Sequence, residues 1–331
     1  MKNFFQKPFR WAILYALVLT CFTAYVLLDT FVIPRAGIPV SALSASNGTS
    51  AATAAGGATT AASAGAVSAS EPAASASGQT GGATSSPVIT STSYQDDQIQ
   101  ITIDTVYKNN TTIYIADIQL ASLEYLKTAF AQNTYGRNIK ETTSAMAEDN
   151  NALFAINGDY YGFRDYGFVL RNGILYRDTA RKSGSDEALL IDSQGNFSII
   201  SESETSAASL ADAGAWQIFS FGPALINNGE ITVTTNSEVG QSMSSNPRTA
   251  IGQVSALHYI FIVSDGRTSE SAGLSLLELA QVFQERGCTV AYNLDGGGSS
   301  TMWFNGRVIN NPTDGRSSSE RSVSDIVSIG Y

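Results

Sequence analysis

The sequence predicts an α+β fold: a large, mixed, strand-rich sheet with about three packed helices, preceded by a transmembrane helix and a disordered linker. Three observations carry that expectation. Short β-branched and aromatic runs, bounded by Asn-Gly, Asp-Gly and Asn-Asn turns, recur from residue 94 to the C-terminus. Only a few stretches show the three-to-four spacing of a helix. An uncharged run near the N-terminus is followed by a segment made almost wholly of Ser, Thr, Ala and Gly.

Taken in order, residues 1–10 read as a cytoplasmic tail and 11–33 as a membrane anchor. Trp11 to Leu28 carries no charge, and as a helix it would extend about 27 Å, close to the hydrocarbon thickness of a bilayer. Lys2, Lys7 and Arg10 precede it, so the positive-inside rule places the N-terminus in the cytoplasm and the rest of the chain outside. A cleaved signal peptide is the alternative, but its apolar region is usually only about 7–15 residues long. Residues 34–93 read as a linker. Between 41 and 93, 44 of 53 residues are Ser, Thr, Ala or Gly. Such a stretch cannot bury enough surface to offset its ordering entropy. As a random coil it would reach roughly 40 Å.

Residues 94–331 read as one globular domain. QIQITIDTVY and TTIYIADIQL form a hairpin around Asn109-Asn110, and residues 121–131 place Leu123, Leu126 and Phe130 on one face of an expected helix. A weaker helix follows at 139–149, then a buried strand at 152–157. Asn172-Gly173 turns a hairpin over 167–178, and Ser193 to Asn196 turns another over 187–200. Strands are expected within 216–233, 248–254, 256–264 and 289–295, with a last hairpin through Asn305-Gly306. The clearest helix runs from Ser275 to Arg286, with Ser275 and Glu278 spaced as a capping box and Gly287 as its stop.

Charge and composition exclude several function classes. The whole chain carries −10, and residues 94–331 carry −12. A surface that negative repels polyanions, so no nucleic-acid partner is expected. One histidine, His258, and two cysteines, Cys21 and Cys288, are too few for a Cys/His zinc site or for a disulfide within 94–331. No Gly-x-Ser-x-Gly is present and His258 sits mid-strand, which argues against a serine hydrolase. Residues 296–300 lack the lysine of a phosphate-binding Walker loop. No cofactor is expected; the oxygen-rich side chains of Asp159, Asp265 and Asp295 leave calcium open, without an EF-hand pattern to support it.

The chemistry-bearing residues cluster at strand ends. Asn157 and Asp159 are two apart, as are Asn293 and Asp295, so each pair shares one face of its strand. Two strands ending in Asn-x-Asp can converge on one cleft with two carboxylates and two amides. Gly296, Gly297 and Gly298, followed by Ser299 and Ser300, expose backbone N–H groups that could cradle an anion. Tyr160, Arg248, Asp265 and Arg321 interrupt the remaining apolar segments. Arg248 and Arg321 suit phosphate oxygens, which guanidinium groups hold by paired charge-assisted bonds.

The motifs AINGDYY (155–161), NPRTAIG (246–252), DGR (265–267), YNLDGGGSSTM (292–302) and ERSVSDI (320–326) together resemble the phosphodiester glycosidase family, the domain type of the lysosomal uncovering enzyme. Bacterial relatives carry the label of exopolysaccharide biosynthesis proteins. Ser322, Ser324 and Asp325 stand where that family's closing Glu-Arg-Pro-x-Ala-Asn pattern has proline, alanine and asparagine. The resemblance implies a hydrolase that frees a sugar from a sugar-1-phosphodiester, acting on a phosphate-linked glycan of the cell envelope or outside the cell. Asp159 and Asp295 would be its catalytic carboxylates. Arg248 and Arg321 would clamp phosphate, with Asn157, Tyr160, Asp265, Asn293 and residues 296–300 at the substrate. Two other readings stand beside it: a non-catalytic glycan-binding or exopolysaccharide assembly factor, and a metal-dependent phosphodiesterase.

Overall fold

Local turn chemistry builds most of the strands. Asn109 and Asn110 both adopt positive φ, and this two-residue turn registers Ile99–Lys108 against Thr111–Leu120 over ten residue pairs. Asn172-Gly173 and Asn305-Gly306 make equivalent turns between Val169–Arg171 and Ile174–Arg177, and between Met302–Phe304 and Arg307–Val308. The structure, a computed structural model, describes residues 15–23, 38–39, 86–182, 186–237, 245–315 and 317–331.

The strands form three sheets instead of one, and every pairing between named strands is antiparallel, so the sheet is not mixed as expected. Hairpin-linked neighbours need no parallel crossover. The nine-stranded sheet runs Glu230–Ile231, Ala224–Asn227, Val290–Asn293, Arg248–Ser255, His258–Ser264, Thr111–Leu120, Ile99–Lys108, Ser93–Gln95, Val88–Ile89. The five-stranded sheet runs Arg307–Val308, Met302–Phe304, Phe154–Asn157, Asp325–Ile329, Leu126–Phe130. In the six-stranded sheet the order is Ile38–Pro39, Ile174–Arg177, Val169–Arg171, Gln217–Phe219, Glu187–Ile191, Phe197–Ser201.

One apolar core joins all three sheets. Ile101, Ile118 and Phe261 come from the nine-stranded sheet, Phe154, Phe304 and Val327 from the five-stranded, and Leu189 and Phe219 from the six-stranded. Each sheet has its own helix. Leu276–Glu285 lays Leu276, Leu279, Ala280 and Phe283 against Ile113, Ile115, Ile260 and Ile262. Its start is the expected capping box: Glu278 N–H donates to Ser275 Oγ (3.2 Å), and Ser275 N–H donates to the Glu278 carboxylate (2.8 Å). Thr143–Asp149 packs Met146 and Ala147 on the five-stranded sheet, and Ala207–Asp212 packs Ala207 and Ala211 on the six-stranded one.

Two expectations are corrected. Residues 121–131 are not a helix: after a single 3-10 turn, Leu126–Phe130 is a strand paired along its whole length with Asp325–Ile329. Leu126, Thr128 and Phe130 face inward with period two, and in so short a run that pattern overlaps a helical stripe. The ordered sheet also begins before residue 94, since Val88–Ile89 pairs with Tyr94 and Gln95. Of the expected anchor at 11–33, residues 15–23 are helical. Among the described residues no helix is long and apolar enough to cross a membrane. The rest of the anchor, and most of the 34–93 linker, lie outside the described residues.

Candidate active site

Strand ends of the three sheets meet in one place. Asp159 follows the strand Phe154–Asn157 of the five-stranded sheet, and Asp325 begins the strand beside it. Arg171 ends Val169–Arg171 of the six-stranded sheet. Asp295 follows Val290–Asn293 of the nine-stranded sheet. A cleft of ≈ 270 Å³ opens there, lined among others by Asp159, Tyr160, Asp295, Ser299, Arg321 and Lys140.

Beneath that cleft lies a buried charge cluster. Arg171 Nη2 is 2.9 Å from Asp159 Oδ2 and 3.0 Å from Asp325 Oδ2, and Arg171 Nε donates to Asp325 Oδ2 at 3.1 Å. All three side chains are 1% exposed or less. Asp159 also accepts from the Tyr161 N–H (2.9 Å) and the Ser220 N–H (3.2 Å). Burial pulls the Arg171 guanidinium toward neutrality, but the two carboxylates outweigh it and hold its pKa above the ordinary value. Gly158 makes the packing achievable: a Cβ there would lie 2.3 Å from Asp325 Oδ1.

Asp295 is set differently. It is half-buried, and desolvation pushes its carboxyl up to about 6 against the opposing effects of the Ser299 hydroxyl and the charges of Arg321 and Arg164. Asn157 fixes its backbone, with Nδ2 donating to the Asp295 carbonyl at 2.7 Å. The Asn157 Oδ1 accepts from Thr249 Oγ1 (2.7 Å) and from the Thr301 N–H (3.2 Å). Asn157 therefore ties three segments together and has no atom left for a ligand. Arg321 is half-exposed at the rim, where Nη2 and Nε reach Asp314 Oδ1 at 2.6 and 3.0 Å.

The other expected site residues are placed as follows. Tyr160 is 37% exposed, stacked on Phe163 and covered by the Arg164 guanidinium. Asn293 is buried, its Nδ2 donating to the Gly222 carbonyl (2.8 Å). Arg248 is buried away from the cleft lining, with Nε on the Leu274 carbonyl (2.9 Å). Asp265 is likewise buried, accepting from Asn311 N–H, Asn310 Nδ2 and Tyr114 Oη. Burial raises its pKa and those bonds oppose the rise. The glycine run does not turn all its amides outward. Gly297 N–H donates to the Pro247 carbonyl (2.8 Å), and Ser299 and Ser300 N–H close a 3-10 turn on Gly296 and Gly297. Gly297 has φ +64°, and a Cβ on it would meet Arg267 Nη2 at 2.7 Å. The run thus serves close packing as much as display. Ser300 is buried behind it.

Sequence reasoning missed Arg171 and noted Asp325 only as a departure from a pattern. Arg171 precedes Asn172-Gly173, where a cation reads as an ordinary turn residue; a lone charge inside FVLRNGIL was the available signal. His258 pairs with Asp117 at 2.9 Å on a partly exposed strand, away from the cleft lining. Among the described residues no group of three or more His, Cys, Asp or Glu side chains is arranged to hold a metal ion. Between Asp159 and Asp325 the positive charge is a guanidinium.

Residues 150–329 match the family model described as phosphodiester glycosidase. The SPbeta prophage-derived uncharacterized protein YomE of Bacillus subtilis (strain 168) is 32% identical over 203 residues, 60% of this chain and 31% of that protein. Mouse N-acetylglucosamine-1-phosphodiester alpha-N-acetylglucosaminidase is 40% identical over 67 residues, 20% of this chain and 13% of that protein. The chain thus spans about a third or less of the length of these curated relatives. The pro-peptide-inhibited catalytic domain of the zebrafish N-acetylglucosamine-1-phosphodiester alpha-N-acetylglucosaminidase superposes with a TM-score of 0.56 at 21% identity, covering 71% of this chain and 83% of that one. That likeness is one of fold.

Proposed function

The chain belongs to the phosphodiester glycosidase family, and on that premise we propose that it hydrolyses sugar-1-phosphodiester linkages, freeing the sugar from its phosphate. One observation carries the reading: Asp159, Asp295 and Arg321, far apart in sequence, line a single cleft. A phosphate ester departs without much proton donation, so the demand on the protein is to stabilise positive charge at the anomeric carbon and negative charge on the departing phosphate.

The two carboxylates differ in a way that suits two roles. Asp159 is almost fully buried and receives hydrogen bonds from three donors, one of them a guanidinium, which hold its carboxyl group in a fixed position. Asp295 is more exposed and has a pKa near 6, which favours the group that attacks the anomeric carbon or activates water there. Arg321, with Lys140 on the same wall, supplies positive charge for the phosphate in a domain that is otherwise strongly negative. The apolar run at 11–28 and the small-residue tether after it support a finer proposal: the domain stands outside the membrane and acts on cell-envelope or extracellular polysaccharide.

The test is product analysis on a sugar-1-phosphodiester, with and without chelator. Free sugar, unaffected by chelator, is expected, and Asp295→Asn should lower turnover by roughly 10²–10⁴-fold. A sugar phosphate as first product, with activity lost in chelator, would instead mark cleavage of the P–O bond. Binding of the phosphodiester with no turnover would mark a glycan-binding protein.

A further inference from the structure

Asp325 lies below the cleft, and its surroundings are lopsided. Both bonds from Arg171 fall on Oδ2, while Oδ1 is buried with no hydrogen-bond partner among the described residues. Asp159, its neighbour across the same guanidinium nitrogen, has both oxygens satisfied: Oδ1 by Tyr161 N–H, Oδ2 by Ser220 N–H and Arg171. One guanidinium can neutralise one carboxylate. Two ionised carboxylates on it would leave a net negative charge in a space closed to water, at high cost. The site with the empty oxygen is the one that takes the proton.

We propose that Asp325 is a positioning residue that stays uncharged through the neutral range, so that the charge of Arg171 is given to Asp159 at the cleft floor. This deepens the proposed function and rests on it only for its catalytic consequence. The groups facing Asp325 agree. Asp159 and Tyr161 come from the loop after Phe154–Asn157, Arg171 from the six-stranded sheet, and Asp295 from the loop after Val290–Asn293. The adjacent strand presents only Phe130 at that register. Burial, then the charge of Asp159, lift the Asp325 carboxyl well above the usual range, with Arg171 opposing and Asp295 adding to the rise.

Such a group destabilises the native state as pH rises. Unfolded Asp releases its proton near 3.8, whereas folded Asp325 keeps it, so the unfolded chain binds fewer protons and stability falls from that pH upward. Asp325→Asn mimics the protonated form. Its Tm relative to wild type should therefore climb by about 3–5 °C per pH unit above pH 4, levelling where folded Asp325 ionises. If both carboxylates were ionised in the folded state, that difference would stay flat above pH 4, and the proposal would be overturned. At pH 8 the infrared spectrum should show a protonated-carboxyl band that Asp325→Asn abolishes; its absence from the wild type, or its survival in Asp325→Asn, also overturns the proposal. In turnover, Asp325→Ala should fall by at least tenfold, with Asp325→Asn restoring it to within about threefold and leaving the acid limb of kcat/KM in place. A limb displaced downward in Asp325→Asn would mean that a negative charge had been removed, against the proposal. The Tm and infrared arms need no substrate, so they decide this inference even if hydrolysis is not found.

Discussion

Replacing Gly158 with Ala tests how tightly the charge cluster is enclosed. The Gly158 backbone lies between both acidic loops: its N–H donates to the Asp325 carbonyl (2.8 Å) and its carbonyl accepts from the Asp295 N–H (3.3 Å). Its φ is not in the left-handed region, so an Ala backbone is acceptable and the effect is purely steric. A Cβ would stand 2.3 Å from Asp325 Oδ1, 2.6 Å from Cγ and 2.9 Å from Oδ2. Asp325 cannot swing away without leaving Arg171. Overpacking of this kind costs about 1–3 kcal/mol, and losing hydrogen bonds to a charged partner adds about 1.5–3 kcal/mol. The sum of roughly 2.5–6 kcal/mol corresponds to a Tm lowered by about 5–24 °C in a domain of this size. Denaturant unfolding of Gly158→Ala, alone and in an Asp325→Ala background, separates the causes. In the second background the offending oxygens are gone, and the Ala should cost less than about 1 kcal/mol. An equal cost in both backgrounds would refute the steric reasoning.

Further outcomes follow from the same geometry. Arg171→Met should destabilise by about 3–5 kcal/mol, because it strands buried carboxylates without their cation, and urea unfolding measures it. The acid limb of kcat/KM should fall near pH 6, since below that value Asp295 takes up a proton and loses its charge; a limb near 4 would place the essential carboxylate elsewhere. Ser275→Ala should cost about 1 kcal/mol of stability through the lost cap, with kcat and KM unaltered, because that helix end lies away from the cleft lining.

What the sequence revealed was local. Asn109-Asn110, Asn172-Gly173 and Asn305-Gly306 each specify their own turn, and the capping box specifies its own helix start. The six-residue helix Ala207–Asp212 was missed because its apolar face is little more than Ala207 and Ala211. The division into three sheets was not legible, since it depends on pairings such as Val290–Asn293 beside Arg248–Ser255 that no turn encodes. For the site, Asp159 and Asp295 stood out as carboxylates at the ends of buried strands. Arg248 stood out for the same reason, yet it is buried with its Nε on a backbone carbonyl. A sequence gives the cost of burying a charge but not the partner that offsets it.

The partners themselves separate Arg171 from Arg321. Arg171 is 1% exposed and holds two carboxylates and the Leu170 and Ile218 carbonyls, so nothing can displace them without unfolding the floor of the cleft. The Arg321 side chain is 42% exposed and Asp314, its ion-pair partner among the described residues, is 37% exposed. A pair that open to water is worth only about 0–1 kcal/mol. An incoming phosphate carries more charge and more acceptor oxygens than Asp314, and can replace it at Arg321 at little cost. Gly298 leaves the room for that exchange, because a Cβ there would sit 2.6 Å from Arg321 Nη2 and 2.7 Å from Asp314 Oδ1. Asp314→Asn should then lower KM for a phosphodiester substrate, by leaving Arg321 less engaged before binding, while Gly298→Ala should raise it. If steady-state kinetics show KM unmoved by both changes, Arg321 is not the group that receives the phosphate.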